Sequence, residues 1–370
     1  MKSDLIEQVI DLAVEIQQIA APPFGERQRA EFVRDQFSQD GLSDVSMDEL
    51  YNVYARIPGS GQSPPLVVTA HLDTVFPLDT ELFVRREGAR IYGPGIGDNS
   101  LGVAGLFGLS WLLSDQQLPG DLWLVANVGE EGLGDLRGMK AAVDRFDDRV
   151  LAYIILEGMA LGQVYHRALG VERYKINVQT PGGHSWVNFG KPSAIHELAE
   201  LISELVEIPL PKQPRTTLNV GVISGGTSVN TIAEFADIQL DLRSEDKRML
   251  DYLVKQVEDR ISKAQKVDVQ VTKELIGKRP AGEIPTDHAL VQLVKGCLAN
   301  RGLRASLAIG STDANIPLSR GIPAVCVGLT SGSGAHTQNE YINLGPLENG
   351  FEFLSCVVLG VYEDMGGRSE

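Results

Sequence analysis

Four short apolar runs in this chain lead into side chains that bind metals or move protons. LVVTA is followed by His71 and Asp73, LWLVANV by Glu130 and Glu131, LAYIIL by Glu157, and PAVCVGL, after a loop, by His336. A further carboxylate, Asp98, lies in the glycine-rich segment GPGIGDNSLG. Two imidazoles and several carboxylates form a zinc-type donor set wherever a fold gathers them. In an open α/β sheet the crevice forms at the carboxyl ends of the strands, which is where these residues fall.

Taken singly, each residue has a plainer reading. His71 and Asp73 are two apart in extended backbone and so share a face. Asp73 either accepts the second ring N–H of a metal-bound imidazole or caps the turn beginning at Thr74. Asp98 is either the N-cap of the next helix or a carboxylate that bridges two ions. The glycines around it do not match a dinucleotide fingerprint, and no Walker lysine follows. Glu130 and Glu131 are either a solvated pair or residues pointing opposite ways, one a ligand and the other a base toward water. Glu157, at the end of a buried strand, needs a partner. His336 sits in LTSGSGAHTQNEY, a loop where a lone histidine is commonly inert. Five ligand-type residues at one end of one sheet favour a common site over coincidence.

The elements that would position them follow from periodicity. A helix over 3–20, with Leu5, Val9, Leu12, Val14 and Ile16 as its apolar positions and Ser3 as cap, ends at Pro22-Pro23. A helix near 26–40, strands near 45–57 and 65–70, the helix LGVAGLFGLSWLLS, and strands near 121–128 and 150–156 form a βα pattern that implies a largely parallel sheet. From about Gly170 the texture changes to alternating strands such as ERYKINVQT and DIQLDL, as in a sheet with one wet face. The order strand–helix–strand–strand–helix–strand, with helices near 193–206 and 246–264, defines a compact α+β unit. After Pro280 the α/β texture returns: a helix at 289–300, the extended LRASLAI, the run IPAVCVGL, and a last helix over 346–363. The expected fold is α/β: a mostly parallel-sheet catalytic domain (1–169 and 284–370) interrupted by an α+β (βαββαβ) domain (170–283).

Composition narrows the function classes. The 370 residues are 43% hydrophobic and 22% charged, ordinary for a globular protein. A formal net charge of −16 opposes a nucleic-acid footprint, which needs a basic face. No membrane span is expected, because no run of about 18 uncharged apolar residues occurs. The N-terminal stretch carries Asp4, Glu7, Asp11 and Glu15 and so does not read as a signal peptide. Cys297, Cys326 and Cys356 are expected to be reduced buried thiols, in keeping with a cytoplasmic protein.

The ordered set AHLDTVFP, YGPGIGDN, GEEGLGDLRG, LEG, GGHS, NVGVISGGTSVNTIAE, LDLRS and SGAHTQNEY resembles the dinuclear-zinc hydrolase family of glutamate carboxypeptidase, peptidase T, aminoacylase, acetylornithine deacetylase and succinyl-diaminopimelate desuccinylase. The resemblance spans nearly the whole chain. It implies two divalent metal ions, zinc first, with cobalt or manganese as substitutes. By the same resemblance His71 and Glu157 are ligands of one ion, His336 and Glu131 of the other, and Asp98 bridges them. Glu130 matches the general base and Asp73 the residue orienting His71, and the Asp98-Asn99 peptide is expected to be cis.

The inserted domain resembles the family's lid or dimerisation domain, so a homodimer is implied. His184 in TPGGHSW matches a histidine that stabilises the tetrahedral intermediate, commonly from the partner subunit; otherwise it is a turn residue. Asn230 and Arg243 match positions contacting the substrate's polar groups or carboxylate, although Arg243 has Asp241 and Glu245 nearby to pair with. Pro94 stands where the family often has arginine, and Asn99-Ser100-Leu101 where it has a polar stretch, which leaves the subfamily open. Glu157, where some members have Asp, leans toward the carboxypeptidase and deacylase branch.

The expectation is thus a dizinc metallopeptidase, a carboxypeptidase or tripeptidase-like exopeptidase acting on small peptides. The alternatives are an N-acyl-amino-acid deacylase on the same site and a catalytically silent binding homologue.

Overall fold

The computed structural model describes residues 2–366, apart from the side chains of Lys2 and Ser3, so the expected Ser3 cap lies outside the described residues. The chain divides into two compact units, Leu169–Ala281 and the segments on either side of it.

The flanking segments build a sheet whose centre is parallel. Leu66–His71 lies between Leu122–Asn127 and Tyr153–Glu157, and Tyr153–Glu157 in turn pairs with Ala324–Gly328, all in parallel. These strands are covered on both faces, so they read as continuous apolar runs rather than alternating ones. All six residues of Leu66–His71 are buried. The register matters for the site. His71 pairs with Asn127, and Glu157 pairs with Gly328, so the carboxyl ends finish level with one another.

The margins of this sheet are antiparallel. The stretch expected as one strand over 45–57 is a hairpin, Ser43–Met47 and Val53–Ile57, whose second strand lies antiparallel to Leu122–Asn127. On the other side Gln163–Ala168, unassigned from sequence, pairs antiparallel with Ala324–Gly328 and parallel with Ser306–Gly310. The helix Leu101–Leu112 is buried without interruption from Leu101 to Ser110. Gly105 allows that close packing, since a Cβ there would come within 2.5 Å of Leu329 Cδ1.

A small antiparallel sheet joins Arg85–Glu87 and Arg90–Tyr92 to Gly332–Ser333 and Tyr341–Asn343. It ties the turn after Tyr92, which carries Asp98, to the loop that carries His336.

The expectation for cysteine is corrected in part. Cys297 and Cys356 form a disulfide between the helices Ala289–Asn300 and Leu347–Met365, with Cα atoms 5.9 Å apart, while Cys326 is free and buried. The pairing depends on how two helices pack, 59 residues apart in sequence, which no local pattern encodes. The cysteines therefore no longer argue for a reducing compartment. Among the described residues no helix is long and apolar enough to cross a membrane.

The unit Leu169–Ala281 is a four-stranded antiparallel sheet in the order Thr216–Gly225, Phe235–Ser244, Gly170–Gln179, Gln270–Arg279. Buried and less buried residues alternate along Phe235–Ser244, as one-sided coverage requires. Ile176, Ile238 and Leu240 pack against Leu198, Leu201, Leu253 and Val257 from the helices Ala194–Val206 and Lys247–Ala264. The second helix is capped by Asp246, whose carboxylate accepts the Met249 N–H at 2.9 Å. Asp246→Ala should lower stability by about 1 kcal/mol in urea unfolding; an unchanged midpoint would show that the cap contributes nothing.

Candidate metal centre

At the carboxyl edge of the parallel strands the side chains converge into two groups that share one residue. His71, Asp98 and Glu157 form the first, and Asp98, Glu131 and His336 the second, each with one donor atom per residue and all such atoms within 4.8 Å of one another. Asp98 Oδ1 lies 3.2 Å from His71 Nε2, while Oδ2 lies 3.1 Å from His336 Nε2. Glu157 Oε2 is 3.6 Å from His71 Nε2, and Glu131 Oε1 is 2.9 Å from His336 Nε2. The five ligand-type residues picked out from sequence are thus brought together. The Asp98–Asn99 peptide is cis, as the resemblance implies.

Local structure explains how each is aimed. His71 ends a buried strand, and its Nδ1 meets the Asp73 carbonyl at 3.0 Å, which leaves Nε2 pointing into the group. The Asp73 carboxylate is further off, 3.7 Å from Nδ1. Its two oxygens accept the backbone N–H groups of Glu130 (3.0 Å) and Glu131 (2.7 Å). Asp73 therefore orients His71 through its main chain and clamps the two glutamates through its side chain. Gly129, in the left-handed region at φ +69°, makes the turn into them, and a Cβ there would meet Arg137 at 2.8 Å.

Asn99, singled out from sequence only for the peptide before it and for departing from the family's polar stretch, also holds the site together. Its amide donates to the Leu156 carbonyl at 2.9 Å and its Oδ1 accepts the Gly158 N–H at 2.8 Å. It grips the strand end on both sides of Glu157 while its own neighbour, Asp98, faces the ligand group. Asn99→Ala should misplace both carboxylates and lower activity about tenfold or more, the usual cost of losing a partner that holds a ligand in place. Normal kcat/KM in the variant would show that the grip is dispensable.

The electrostatics are those of a site short of positive charge. Burial opposes a proton on His71, but Glu157, Asp98 and Asp73 outweigh it and hold the imidazole well above its ordinary pKa. For Asp98 burial is overcome by hydrogen bonds from His336 and His71, which keep the carboxylate well below the usual range. Glu157 is pushed up by burial beyond the pull of His71. Hydrogen bonds to Asp98 and Glu131 lift His336 to about 10. Behind the site Asp313 is fully buried, one oxygen accepting from Asn127 at 2.7 Å. Burial raises its carboxyl to about 7, against the pull of His71. Imidazole nitrogens and carboxylate oxygens in this excess, buried at His71 and Glu131 and opening to solvent at His336, with Asp98 offering one oxygen to each group, fit two divalent cations.

Residues 67–360 match the sequence profile of peptidase family M20/M25/M40. The chain belongs to that family. It is accordingly a hydrolase of peptide or amide bonds, with a family-type mixed α/β fold. It is 30% identical over 224 residues to the Trichophyton verrucosum protein named Probable carboxypeptidase, covering 54% of this chain and 47% of that one. The chain thus spans about half the length of that fungal relative. It is 26% identical over 331 residues to acetylornithine deacetylase of Pectobacterium carotovorum, covering 83% and 82% of the two chains. A tripeptidase from Staphylococcus aureus shares the fold at 23% identity, with a TM-score of 0.82 over 97% of this chain and 99% of that one.

Three further residues named from sequence lie in the unit Leu169–Ala281. His184 belongs to a two-residue strand, Gly183–His184, paired with Thr231–Ile232. Asn230 adjoins it, its carbonyl accepting the Ser185 N–H at 3.1 Å. The His184 Nδ1 accepts the N–H groups of Trp186 (3.2 Å) and Val187 (3.4 Å), which puts the ring proton on Nε2. Arg243 Nε donates to Asp241 Oδ2 at 2.7 Å, the pairing its sequence neighbours offered as the alternative.

Proposed function

We propose that the protein is an exopeptidase of carboxypeptidase or tripeptidase type, cleaving small peptides at a centre of two divalent cations. The observation carrying this reading is the pair of donor groups sharing Asp98, with Glu130 directly preceding a member of one group. His71, Asp98 and Glu157 would hold one ion, and Asp98, Glu131 and His336 the other. Imidazole and carboxylate donors suit zinc first, with cobalt or manganese as substitutes. Bound there, the ions supply Lewis acidity toward the scissile carbonyl and the attacking water.

The remaining chemistry belongs to side chains. Glu130 takes the proton from the attacking water and returns it to the leaving nitrogen, acting first as base and then as acid. The Asp73 clamp holds its backbone and so fixes where the Glu130 side chain starts. His184, with its proton on Nε2, donates to the oxyanion that forms on the carbonyl oxygen. Asn230 and Arg243 take the substrate's polar groups and its free carboxylate, Arg243 exchanging Asp241 for the substrate.

A second reading, an N-acyl-amino-acid deacylase using the same residues, is supported by the likeness to acetylornithine deacetylase over most of both chains. Zinc-reconstituted protein assayed on dipeptides, tripeptides and N-acyl amino acids separates the two. Turnover of the peptides is expected. Turnover confined to N-acyl amino acids would favour the deacylase, and none in either class with two ions bound would sink both.

The homodimer is proposed to form through the inserted unit. Its sheet ends at Thr216–Gly225, an open edge that exposes Val222 and Ile223. Light scattering after size exclusion should give twice the chain mass, and Ile223→Lys should shift it toward the monomer. A wild-type protein that stays monomeric at high concentration would remove the dimer.

A further inference from the structure

One buried carboxylate joins the two loops that carry Asp98 and His336. Glu340 is fully buried and lies four residues past His336, just before the strand Tyr341–Asn343. Its Oε1 accepts the backbone N–H groups of Gly97 (2.7 Å) and Asp98 (2.8 Å), and its Oε2 accepts that of Gly95 (3.0 Å). Its own carbonyl accepts the Gly93 N–H at 3.0 Å, and its N–H donates to the Thr337 carbonyl at 3.2 Å. Successive backbone donors curled around an anion form a nest, here filled by a side chain from a segment some 240 residues away. Gly95, at φ +73°, makes the curl possible, and a Cβ there would press on Thr74 Cγ2 at 2.8 Å.

The consequence is geometric. Asp98 reaches His336 through its carboxylate at 3.1 Å, and its main-chain N–H is bound to Glu340 in the same loop. The residue shared by the two donor groups is therefore tied twice to the loop that carries His336. We propose that Glu340 is a positioning residue of the metal centre, setting where Asp98 stands between the two groups and keeping the His336 loop in register with it. This rests on reading those residues as ligands. A carboxylate that merely held the small antiparallel sheet together would affect folding and leave metal affinity alone.

Glu340→Gln tests the difference. Glutamine keeps the shape but turns one acceptor oxygen into an NH2 group, which must face either the Gly95 N–H or the Gly97 and Asp98 pair. Wild type and variant are stripped with a chelator, checked by far-UV circular dichroism and thermal unfolding, and titrated with zinc against a chromophoric chelator. Wild type should take up two ions. The variant should keep its spectrum and bind zinc about ten- to a hundredfold more weakly. Its kcat should recover at excess zinc with KM unchanged, and Glu340→Asp should fall between the two.

Wild-type zinc affinity in Glu340→Gln would overturn the proposal, including where the stripped variant melts earlier, since Glu340 would then serve the fold alone. If the glutamine variant does not fold, Glu340→Asp takes its place, and unchanged affinity there overturns the proposal equally. A wild-type protein that binds no zinc would instead remove the metal-centre reading itself.

Discussion

Replacing Glu130 with glutamine should cut kcat by about a hundredfold or more while both ions remain bound, since positioned general bases contribute about 10²–10⁴ in rate. Glutamine matches glutamate in shape and cannot take up a proton at neutral pH. The backbone N–H of residue 130 would still reach Asp73 Oδ1 at 3.0 Å, so the turn holding the side chain should survive. The two donor groups contain Glu131 but not Glu130, so metal content should be untouched. An interaction made only in the transition state lowers kcat and kcat/KM together. That pattern separates Glu130 from its neighbour, because Glu131→Gln should lose metal first and activity as a consequence. Near-normal turnover in Glu130→Gln would sink the base assignment, and loss of an ion would make Glu130 a ligand instead.

How much of this was legible in the sequence depends on the range of the interactions involved. His71, Glu131 and Glu157 follow apolar runs, and parallel pairing in level register is enough to bring such ends together. The inserted unit was legible for the same reason: alternation along DIQLDL reports one covered face directly.

Asp98 and His336 sit on loops, and their meeting depends on Arg90–Tyr92 pairing with Tyr341–Asn343, a contact across some 250 residues between three-residue strands too short to show a period. The two jobs of Asp73 were half visible. Its spacing from His71 was readable, but its grip on the Glu130 and Glu131 amides is a loop contact with no periodic signature. Helix Arg137–Phe146 could have been found, since Met139, Ala142, Val143 and Phe146 keep helical spacing and are buried. The disulfide could not, because it reports helix packing rather than local pattern.

The widest loss of metal should follow from Asp98→Ala. His71→Ala and His336→Ala each remove one donor and leave the other group of three whole, so each variant should still take up one ion. Asp98 belongs to both groups, with one oxygen 3.2 Å from His71 Nε2 and the other 3.1 Å from His336 Nε2. Its removal leaves two pairs, His71 with Glu157 and His336 with Glu131, and neither provides the three protein donors usual for a catalytic zinc site. Affinity at each position should fall by more than about a hundredfold, the upper end of what losing a mere supporting partner costs. Equilibrium dialysis with metal analysis gives the count directly. The fold should persist, since the main-chain N–H of residue 98 still meets Glu340. Excess zinc should not restore turnover in Asp98→Ala, whereas it should in Glu340→Gln, and that contrast distinguishes a side chain that binds the ions from one that places the binder. If Asp98→Ala keeps one ion at wild-type affinity, the two groups do not share Asp98, and the centre is two independent sites rather than one bridged pair.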